Sequence, residues 1–184
     1  MDPLPHVPLA VTMKYMALPL EFDTTAGVEG CVAVACDGAA AGNPGPGGWA
    51  WYVDDARWGS GGAKLTTNNR MELTAVIEAL RSIPGDVHLV CDSKYVVESA
   101  TKWMHVWRRR GWRKSDGSDI ANRDLIIELG SALRGRRVRF EWVRGHDGHL
   151  LNEEADKRAR AAAESYRDAG TVDQGPGFLP GGNQ

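Results

Sequence analysis

Two short apolar runs, each followed by an aspartate, most constrain how this chain can fold. Residues 31–36 (Cys-Val-Ala-Val-Ala-Cys) lead into Asp37, and residues 87–91 (Val-His-Leu-Val-Cys) lead into Asp92. Between the two runs, apolar residues of the segment 73–80 recur at helical spacing. A strand, a helix and a second strand in this order predict parallel neighbours whose carboxyl ends share one edge of a sheet. Open α/β sheets place their functional sites at that edge.

The remaining patterns complete a mixed sheet. Alternating residues predict two further strands after the first, and an apolar run predicts a fifth strand near the carboxyl end, at 49–53, 57–65 and 138–143. The loop 42–48 is dense in turn-forming residues, and we predict neither a helix nor a central strand there. The chain therefore predicts an α/β fold with a mixed five-stranded sheet flanked by helices.

Helical patterns fill the second half of the chain. Ser93 is a candidate N-cap for a helix over 93–100, and Asn152 is a candidate N-cap for the last helix, with alanines on its buried stripe. A further helix is predicted over 122–133. We predict one α/β domain over residues 30–167, a disordered extension over 1–29 and a flexible tail over 168–184.

Composition limits the class of protein. The net charge of −2 and the pI near 6.2 give no global signature of nucleic-acid binding, so any such binding needs a local patch. No apolar stretch reaches the roughly 18 residues of a membrane span, and the Pro-rich start does not resemble a cleaved signal peptide. Three cysteines in apolar runs favour buried reduced thiols over disulfides, which is typical of a cytoplasmic protein.

Four acidic residues have surroundings unlike those of an ordinary surface. Asp37 and Asp92 end core strands, Glu72 borders the buried face of the first helix, and Asp156 lies near the start of the last helix. Buried carboxylates are costly unless a cation neutralises them, and hard oxygen ligands suit Mg²⁺. The four residues predict a metal site. Taken singly, each of them is better explained as a helix cap or a surface charge, and only the four together favour a metal site.

Two histidines follow the last strand. His146 and His149 are three residues apart between flanking glycines, and we weigh a zinc pair against a mobile loop. No third nitrogen or sulfur ligand is near in the sequence, which favours the loop. We expect His149 to be structural, anchoring that loop.

A basic segment with interleaved tryptophans covers residues 102–114. It contains no acidic residue, so it is either a solvated helix face or the local patch that a polyanion needs. Trp103 and Trp107 are one helical turn apart and are expected to hold the segment in shape. The candidate binding residues are Trp103, Trp107, Arg108, Arg109, Arg110, Trp112, Arg113 and Lys114.

Together these motifs resemble the bacterial type 1 ribonuclease H family from about Cys31 to Tyr166. The shared motifs are Asp37-Gly38, the loop 42–48, residues 67–73 (Thr-Asn-Asn-Arg-Met-Glu-Leu), Asp92-Ser93, the segment 103–112, residues 143–149 (Val-Arg-Gly-His-Asp-Gly-His), Asn152-Glu153 and Asp156. The resemblance implies a ribonuclease H-like fold. The chain departs from the family at Lys94, where bacterial members often carry a glutamine that reads the minor groove.

The resemblance also implies residue roles. Asp37, Glu72, Asp92 and Asp156 match the catalytic metal ligands, and His146 matches a mobile-loop histidine that handles protons or product release. Asn43, Thr67 and Asn68 match a pocket for a DNA phosphate, and Asn69 is a further amide suited to phosphates or the 2′-hydroxyl. The basic segment matches a protrusion that contacts the DNA strand.

The implied function is metal-dependent hydrolysis of the RNA strand of RNA–DNA hybrids, which leaves 5′-phosphate and 3′-hydroxyl ends. Two Mg²⁺ ions are expected per site, with Mn²⁺ as a possible substitute. We expect a cytoplasmic monomer that does not bind membranes. The alternatives are a transposase- or integrase-like phosphoryl transferase and a non-catalytic hybrid-binding module. The absence of target-recognition domains disfavours the first, and the intact acidic quartet disfavours the second.

Overall fold

The computed structural model describes residues 22–23 and 30–179. Within this part of the chain, six strands form one mixed sheet in the order β1-β6-β5-β2-β3-β4. The strands are β1 (Phe22–Asp23), β2 (Val32–Ala40), β3 (Gly45–Asp54), β4 (Arg57–Thr66), β5 (Val87–Cys91) and β6 (Arg136–Trp142). The helices are α1 (Asn68–Ser82), α2 (Lys94–Glu98), α3 (Met104–Arg109), α4 (Arg123–Leu133) and α5 (Leu150–Ala169), with a π-helical turn at Ser99–Trp103 between α2 and α3.

The sheet confirms the predicted topology. β2 pairs with β3 antiparallel and with β5 parallel, and β5 pairs with β6 parallel. The β2–α1–β5 unit therefore has the predicted strand–helix–strand form. β1 adds two residues beside Arg136 and Arg137 at the outer edge of β6. The other residues of the extension 1–29 lie outside the described residues.

The prediction of a loop over 42–48 was wrong for residues 45–48. β3 already begins at Gly45 and pairs with both β2 and β4. The reason is the packing of α5 across this strand. A Cβ built on Gly48 would lie 2.3 Å from the backbone nitrogen of Ala163 and 2.5 Å from the carbonyl oxygen of Ala159. The glycines that suggested a turn instead let a helix backbone lie directly on a strand.

Helices cover both faces of the sheet. The larger apolar cluster lies between the sheet and the α1–α4 side, and it includes Leu73, Ile77, Leu89 and Leu129. A smaller cluster containing Ala35, Tyr52, Val90 and Ala155 lies under α5. In α5, the predicted alanine stripe is buried. No helix in the described ranges is both long and apolar enough to cross a bilayer.

Two helix starts test the predicted caps. Ser93 does cap α2, because its hydroxyl accepts a hydrogen bond from the backbone nitrogen of Val96 at 3.4 Å. The predicted cap of the last helix was wrong. α5 begins at Leu150, and its N-cap is His149, whose Nδ1 accepts from the backbone nitrogen of Asn152 at 3.4 Å. The structural role expected for His149 is therefore confirmed as a helix cap.

The chain turns back along the sheet after α5. The backbone nitrogen of Ser60 donates to the carbonyl of Gln174 at 3.2 Å, and that of Gly177 donates to the carbonyl of Trp58 at 3.0 Å. Part of the predicted flexible tail thus makes defined contacts with β4. α5 also extends past residue 167, so the boundary chosen there lies inside a helix.

The end of this segment reaches the other side of the sheet. Phe178 packs against the larger apolar cluster, and the guanidinium carbon of Arg57 lies 5.5 Å from the centre of its ring. Residues 180–184 lie outside the described residues.

Candidate active site

The four predicted carboxylates come together at the expected edge of the sheet. Asp37 lies in β2, Asp92 directly follows β5, Glu72 lies in the first two turns of α1, and Asp156 lies in the second turn of α5. All four line one open cleft of about 420 Å³ together with His146. Five separate elements or loops therefore contribute one group each to a common space.

Close packing of α1 on β2 brings Glu72 to Asp37. A Cβ built on Gly38 would lie 2.2 Å from the backbone nitrogen of Glu72 and 2.3 Å from the carbonyl carbon of Met71. Glycine is therefore the residue that lets the helix start touch the strand backbone next to Asp37. The pair Asp37-Gly38 is thus one structural unit, in which the first residue supplies the carboxylate and the second supplies the space.

The electrostatics of the cleft show crowded negative groups. The pKa of Asp37 is raised to about 8 by burial, by the charges of Asp92 and Asp156, and by a hydrogen bond to the Asp156 carboxyl. The backbone N–H of Gly38, which donates to Asp37 Oδ1 at 2.7 Å, opposes this shift. The pKa of Glu72 is also raised, by burial and by the charge of Asp92. Such shifts are typical of functional sites.

Each of the other three carboxylates also has a polar partner. Ser93 Oγ donates to Glu72 Oε2 at 2.5 Å, and Asn152 Nδ2 donates to Asp92 Oδ2 at 3.3 Å. Arg160 Nε donates to Asp156 Oδ1 at 2.7 Å. Sequence reasoning missed these partners of the carboxylates, although Asp156 and Arg160 have the spacing of a helical ion pair.

These partners set the present directions of the carboxylates. Over residues 22–23 and 30–179, no group of three His, Cys, Asp or Glu side chains is arranged to hold a metal ion. The donor set nevertheless fits a hard divalent cation, because it consists of carboxylate oxygens whose mutual repulsion leaves Asp37 with a raised pKa.

The two histidines have separate surroundings. His146 lies on the loop between β6 and α5 with a φ of 58°, and its Nε2 lies 3.3 Å from Arg160 Nη2. Since a guanidinium only donates, Nε2 accepts in this contact. His149 uses its Nδ1 to cap α5. The two rings therefore do not act as a pair, and the zinc alternative has no support in this part of the chain.

The predicted phosphate pocket lies around the start of α1. Thr67 is the N-cap, and its hydroxyl accepts from the backbone nitrogen of Arg70 at 3.4 Å. Asn68 and Asn69 are exposed in the first turn, and Asn68 lines the cleft with the carboxylates. The pairing of Gly45 with Thr66 brings the exposed loop of Asn43 to the same end of β4. Phosphate binding at this place stays a prediction.

The basic segment forms an aromatic-supported protrusion over the π-helical turn and α3. The rings of Trp103 and Trp107 lie 5.5 Å apart, as their spacing predicted, and Trp103 also lies 6.4 Å from Tyr95. Most of its cationic side chains are exposed, namely those of Lys102, Arg109, Arg110, Arg113 and Lys114, while Arg108 is half-buried.

Trp112 corrects the predicted binding surface. Its side chain is only 2 % exposed and belongs to the larger apolar cluster, so it does not present a face to a ligand. The cause is a sharp turn after α3, where Trp112 has a φ of 65° and its backbone nitrogen donates to the carbonyl of Trp107 at 2.7 Å. The ring therefore anchors the protrusion to the core.

An exposed aromatic lies on the other side of Asp92. Trp142, at the end of β6, is 43 % exposed, and its Nε1 donates to the carbonyl of Asp92 at 2.8 Å. The ammonium of Lys94 lies 4.7 Å from the centre of the Trp142 ring. Lys94, at which the sequence departs from the family that it resembles, therefore places its ammonium over the Trp142 ring.

A carboxylate cleft at the edge of a mixed α/β sheet is typical of nucleases that use divalent metal ions. Comparison with known proteins refines this class. The family model described as RNase H matches residues 29–164. The chain is 45 % identical over 150 residues to a ribonuclease H of Tropheryma whipplei, and the matched region covers 80 % of this chain and 93 % of that protein. It is 43 % identical to a ribonuclease H of Anaeromyxobacter dehalogenans, with 79 % and 90 % covered.

A solved structure gives the same result. LC9-RNase H1, described as a type 1 RNase H with the type 2 active-site motif, matches with a TM-score of 0.65 and 35 % identity, over 79 % of each chain. The chain belongs to the ribonuclease H family. It is therefore a ribonuclease of the class that acts on RNA–DNA hybrids, and family members use divalent metal ions. The transposase-like and non-catalytic alternatives have no support in these comparisons.

Proposed function

We propose that the four carboxylates of the cleft are the metal ligands through which this chain hydrolyses the RNA strand of RNA–DNA hybrids, with Mg²⁺ as the working ion. The observation that carries the proposal is the convergence of Asp37, Glu72, Asp92 and Asp156 on one cleft, with the pKa of Asp37 raised to about 8. Cations relieve such repulsion most strongly when they carry two charges. Two ions per site are proposed, and Mn²⁺ is the expected substitute.

Bound divalent ions would supply an activated water and charge stabilisation of the leaving 3′ oxygen. The chain's own groups do the rest. Asp37 and Asp92, at the ends of central strands, give fixed ligand positions. Asn152 and Gly38 orient them through the hydrogen bonds described above. The products expected from water attack at phosphorus are a 5′-phosphate and a 3′-hydroxyl.

We assign His146 to proton handling at the cleft. It lies on an exposed loop and reaches the cleft, while its backbone adopts the left-handed region that histidine tolerates better than most residues. The ring contacts a flexible arginine side chain. Because His146 lies on a loop, its ring can move between the leaving 3′ oxygen and solvent while the sheet keeps its conformation.

Two further regions are proposed to hold the hybrid. The start of α1 offers backbone N–H groups and the amides of Asn68 and Asn69, a combination that suits a phosphate. The protrusion supplies the cations that a chain with a net charge of −2 otherwise lacks. We further propose a monomeric, cytoplasmic protein without membrane contacts. The buried thiols of Cys36 and Cys91, which form no disulfide, support the cytoplasmic location.

The test is a cleavage assay on labelled RNA–DNA, RNA–RNA and DNA–DNA duplexes, with Mg²⁺, with Mn²⁺ and with chelator. Cutting of only the RNA strand of the hybrid, with 5′-phosphate ends and full loss in chelator, is expected. Asp92→Asn serves as the inactive matched control, because it keeps the shape of the side chain and removes its charge. A folded Asp92→Asn variant with wild-type turnover would contradict the assignment of the ligands.

A further inference from the structure

One cation contacts both the carboxylate cluster and His146. Arg160 lies one turn after Asp156 on α5, and its Nε donates to Asp156 Oδ1 at 2.7 Å. Its Nη2 lies 3.3 Å from His146 Nε2. The side chain lines the same cleft as the four carboxylates. A single guanidinium therefore joins the helix-borne carboxylate to the loop between β6 and α5.

The other cation of the cleft has a different partner. Arg167 also lines the cleft, but its Nε donates to Asp168 at 2.7 Å, outside the carboxylate cluster. Of the two arginines in the described lining of the cleft, Arg160 is thus the one that contacts one of the four carboxylates. It is also 57 % exposed, so its side chain has room to swing into solvent.

We propose that Arg160 is a positioning residue that occupies Asp156 in the metal-free protein, leaves it when a divalent ion binds, and by leaving releases His146. The inference rests on the proposed function, because it takes Asp156 as a metal ligand. Arg160 acts through Asp156 and His146 and needs no contact of its own with the reacting atoms. Metal occupancy and the position of the loop histidine are thereby coupled through one side chain.

Electrostatic repulsion favours the exchange. A divalent ion on Asp156 would place two positive charges within a few ångströms of the guanidinium, which holds the same carboxylate at 2.7 Å. Departure of Arg160 relieves this repulsion at the cost of one partly exposed ion pair, which is a small loss. In this proposal, the same movement breaks the contact with His146, because Nε and Nη2 belong to one planar guanidinium.

The first test is calorimetric titration of Mg²⁺, and of Mn²⁺ in parallel, into wild type and Arg160→Met. Removal of the competing cation should tighten metal binding, by up to about fivefold for a partly exposed pair. Lys157→Met is the matched control. It removes the same charge from the neighbouring turn, but Lys157 pairs with Glu154 at 3.8 Å and does not line the cleft. Its metal affinity should stay within about twofold of wild type.

The second test reads the coupling itself, through the ring nitrogen resonances of His146. In wild type, Mg²⁺ should move these resonances, while in Arg160→Met the metal-free spectrum should already resemble the metal-bound one. Arg160→Gln provides the same comparison with a polar side chain, should the methionine variant lose stability. Circular dichroism checks the fold of each variant.

The outcomes separate the two proposals. Wild type that binds no divalent ion would overturn the proposed function. Wild type that binds Mg²⁺, together with an Arg160→Met variant of equal or weaker affinity, would overturn the role of Arg160 alone. A His146 spectrum that responds to Mg²⁺ equally in both proteins would also overturn the coupling. Tighter binding with a silenced His146 response supports it.

Discussion

Ser93 donates a hydrogen bond to Glu72 at 2.5 Å, and this contact joins the start of α2 to the first turns of α1. The same hydroxyl accepts from the backbone nitrogen of Val96, so it also caps α2. One buried side chain therefore orients a carboxylate and begins a helix correctly. It also holds down the pKa of Glu72 against the effects of burial and of Asp92.

Ser93→Ala should consequently affect both stability and pH dependence. Removal of the cap should cost about 1 kcal/mol in the free energy of unfolding. The pKa of Glu72, already raised, should rise further, so the acidic limb of the pH–rate profile should move to higher pH. Chemical denaturation and a pH series of turnover measure the two effects. Ser93→Thr keeps the hydroxyl and should return the acidic limb to its wild-type pH. An acidic limb that does not move in Ser93→Ala would contradict the role of Ser93 in orienting Glu72.

Asp37→Asn should change how stability depends on pH in metal-free buffer. With its pKa raised to about 8, folded Asp37 holds its proton to higher pH than in the unfolded chain, where the pKa is about 3.9. This stabilising contribution is complete below pH ~4 and is lost as pH rises through about 8. Wild type should therefore lose stability over this window, and the variant should lose less.

At pH 8, Asp37→Asn should exceed wild type by about 1 kcal/mol or more, which raises the melting temperature by roughly 2–4 °C for a chain of this size. Thermal melts in chelator at pH 4, 6 and 8 provide the measurement. Asp119→Asn, at an exposed position, is the control and should follow wild type. Parallel stability curves for Asp37→Asn and wild type would show that the Asp37 carboxyl is not strained by its neighbours.

His146→Ala should lower turnover with little effect on hybrid binding. Removal of one acid–base group is expected to cost on the order of 10²-fold in turnover. Single-turnover kinetics at saturating enzyme, together with binding measured in Ca²⁺ or chelator, separate the two effects. His149→Ala, which removes the cap of α5, should instead lower the melting temperature. Collapse of affinity in His146→Ala with turnover preserved would make His146 a substrate contact.

The protrusion is tested by the salt dependence of binding. Arg109 and Arg110 are exposed, and each phosphate that is no longer neutralised should make the slope of log affinity against log salt shallower by about 0.9 or less. Arg109→Ala/Arg110→Ala should therefore weaken hybrid binding most at low salt and preserve turnover at saturation. Arg57→Ala/Arg81→Ala removes the same charge outside the protrusion and should keep the wild-type slope. Equal slopes in both double variants would reduce the protrusion to a solvated helix face.

Local patterns in the sequence predicted the elements that local physics determines. β5 has the same extent as its apolar run, and α1 follows the helical period that placed Glu72 at the edge of the buried face. The two aspartates at strand ends met at one cleft because parallel strands share a carboxyl edge. This is why both the fold and the four carboxylates could be predicted.

The errors arose where distant segments decide the local structure. Gly45–Gly48 became a strand because α5 lies on its backbone, and no local signal reports that packing. Trp112 became a core residue because a turn with positive φ folds it inward. The Arg160–Asp156 pair had a local signal in its spacing, but the approach of Arg160 to His146 depends on the path of a loop.

The segments outside the family-matched residues 29–164 have a consequence for how the domain is best expressed. β1 adds a short strand beside β6, and residues 174–177 pair with β4 at the opposite edge of the sheet. A fragment trimmed to the matched residues would therefore expose unpaired N–H and C=O groups at both edges of the sheet, where foreign strands can attach. Such a fragment should self-associate at concentrations at which the full chain stays dispersed, even with every catalytic group intact.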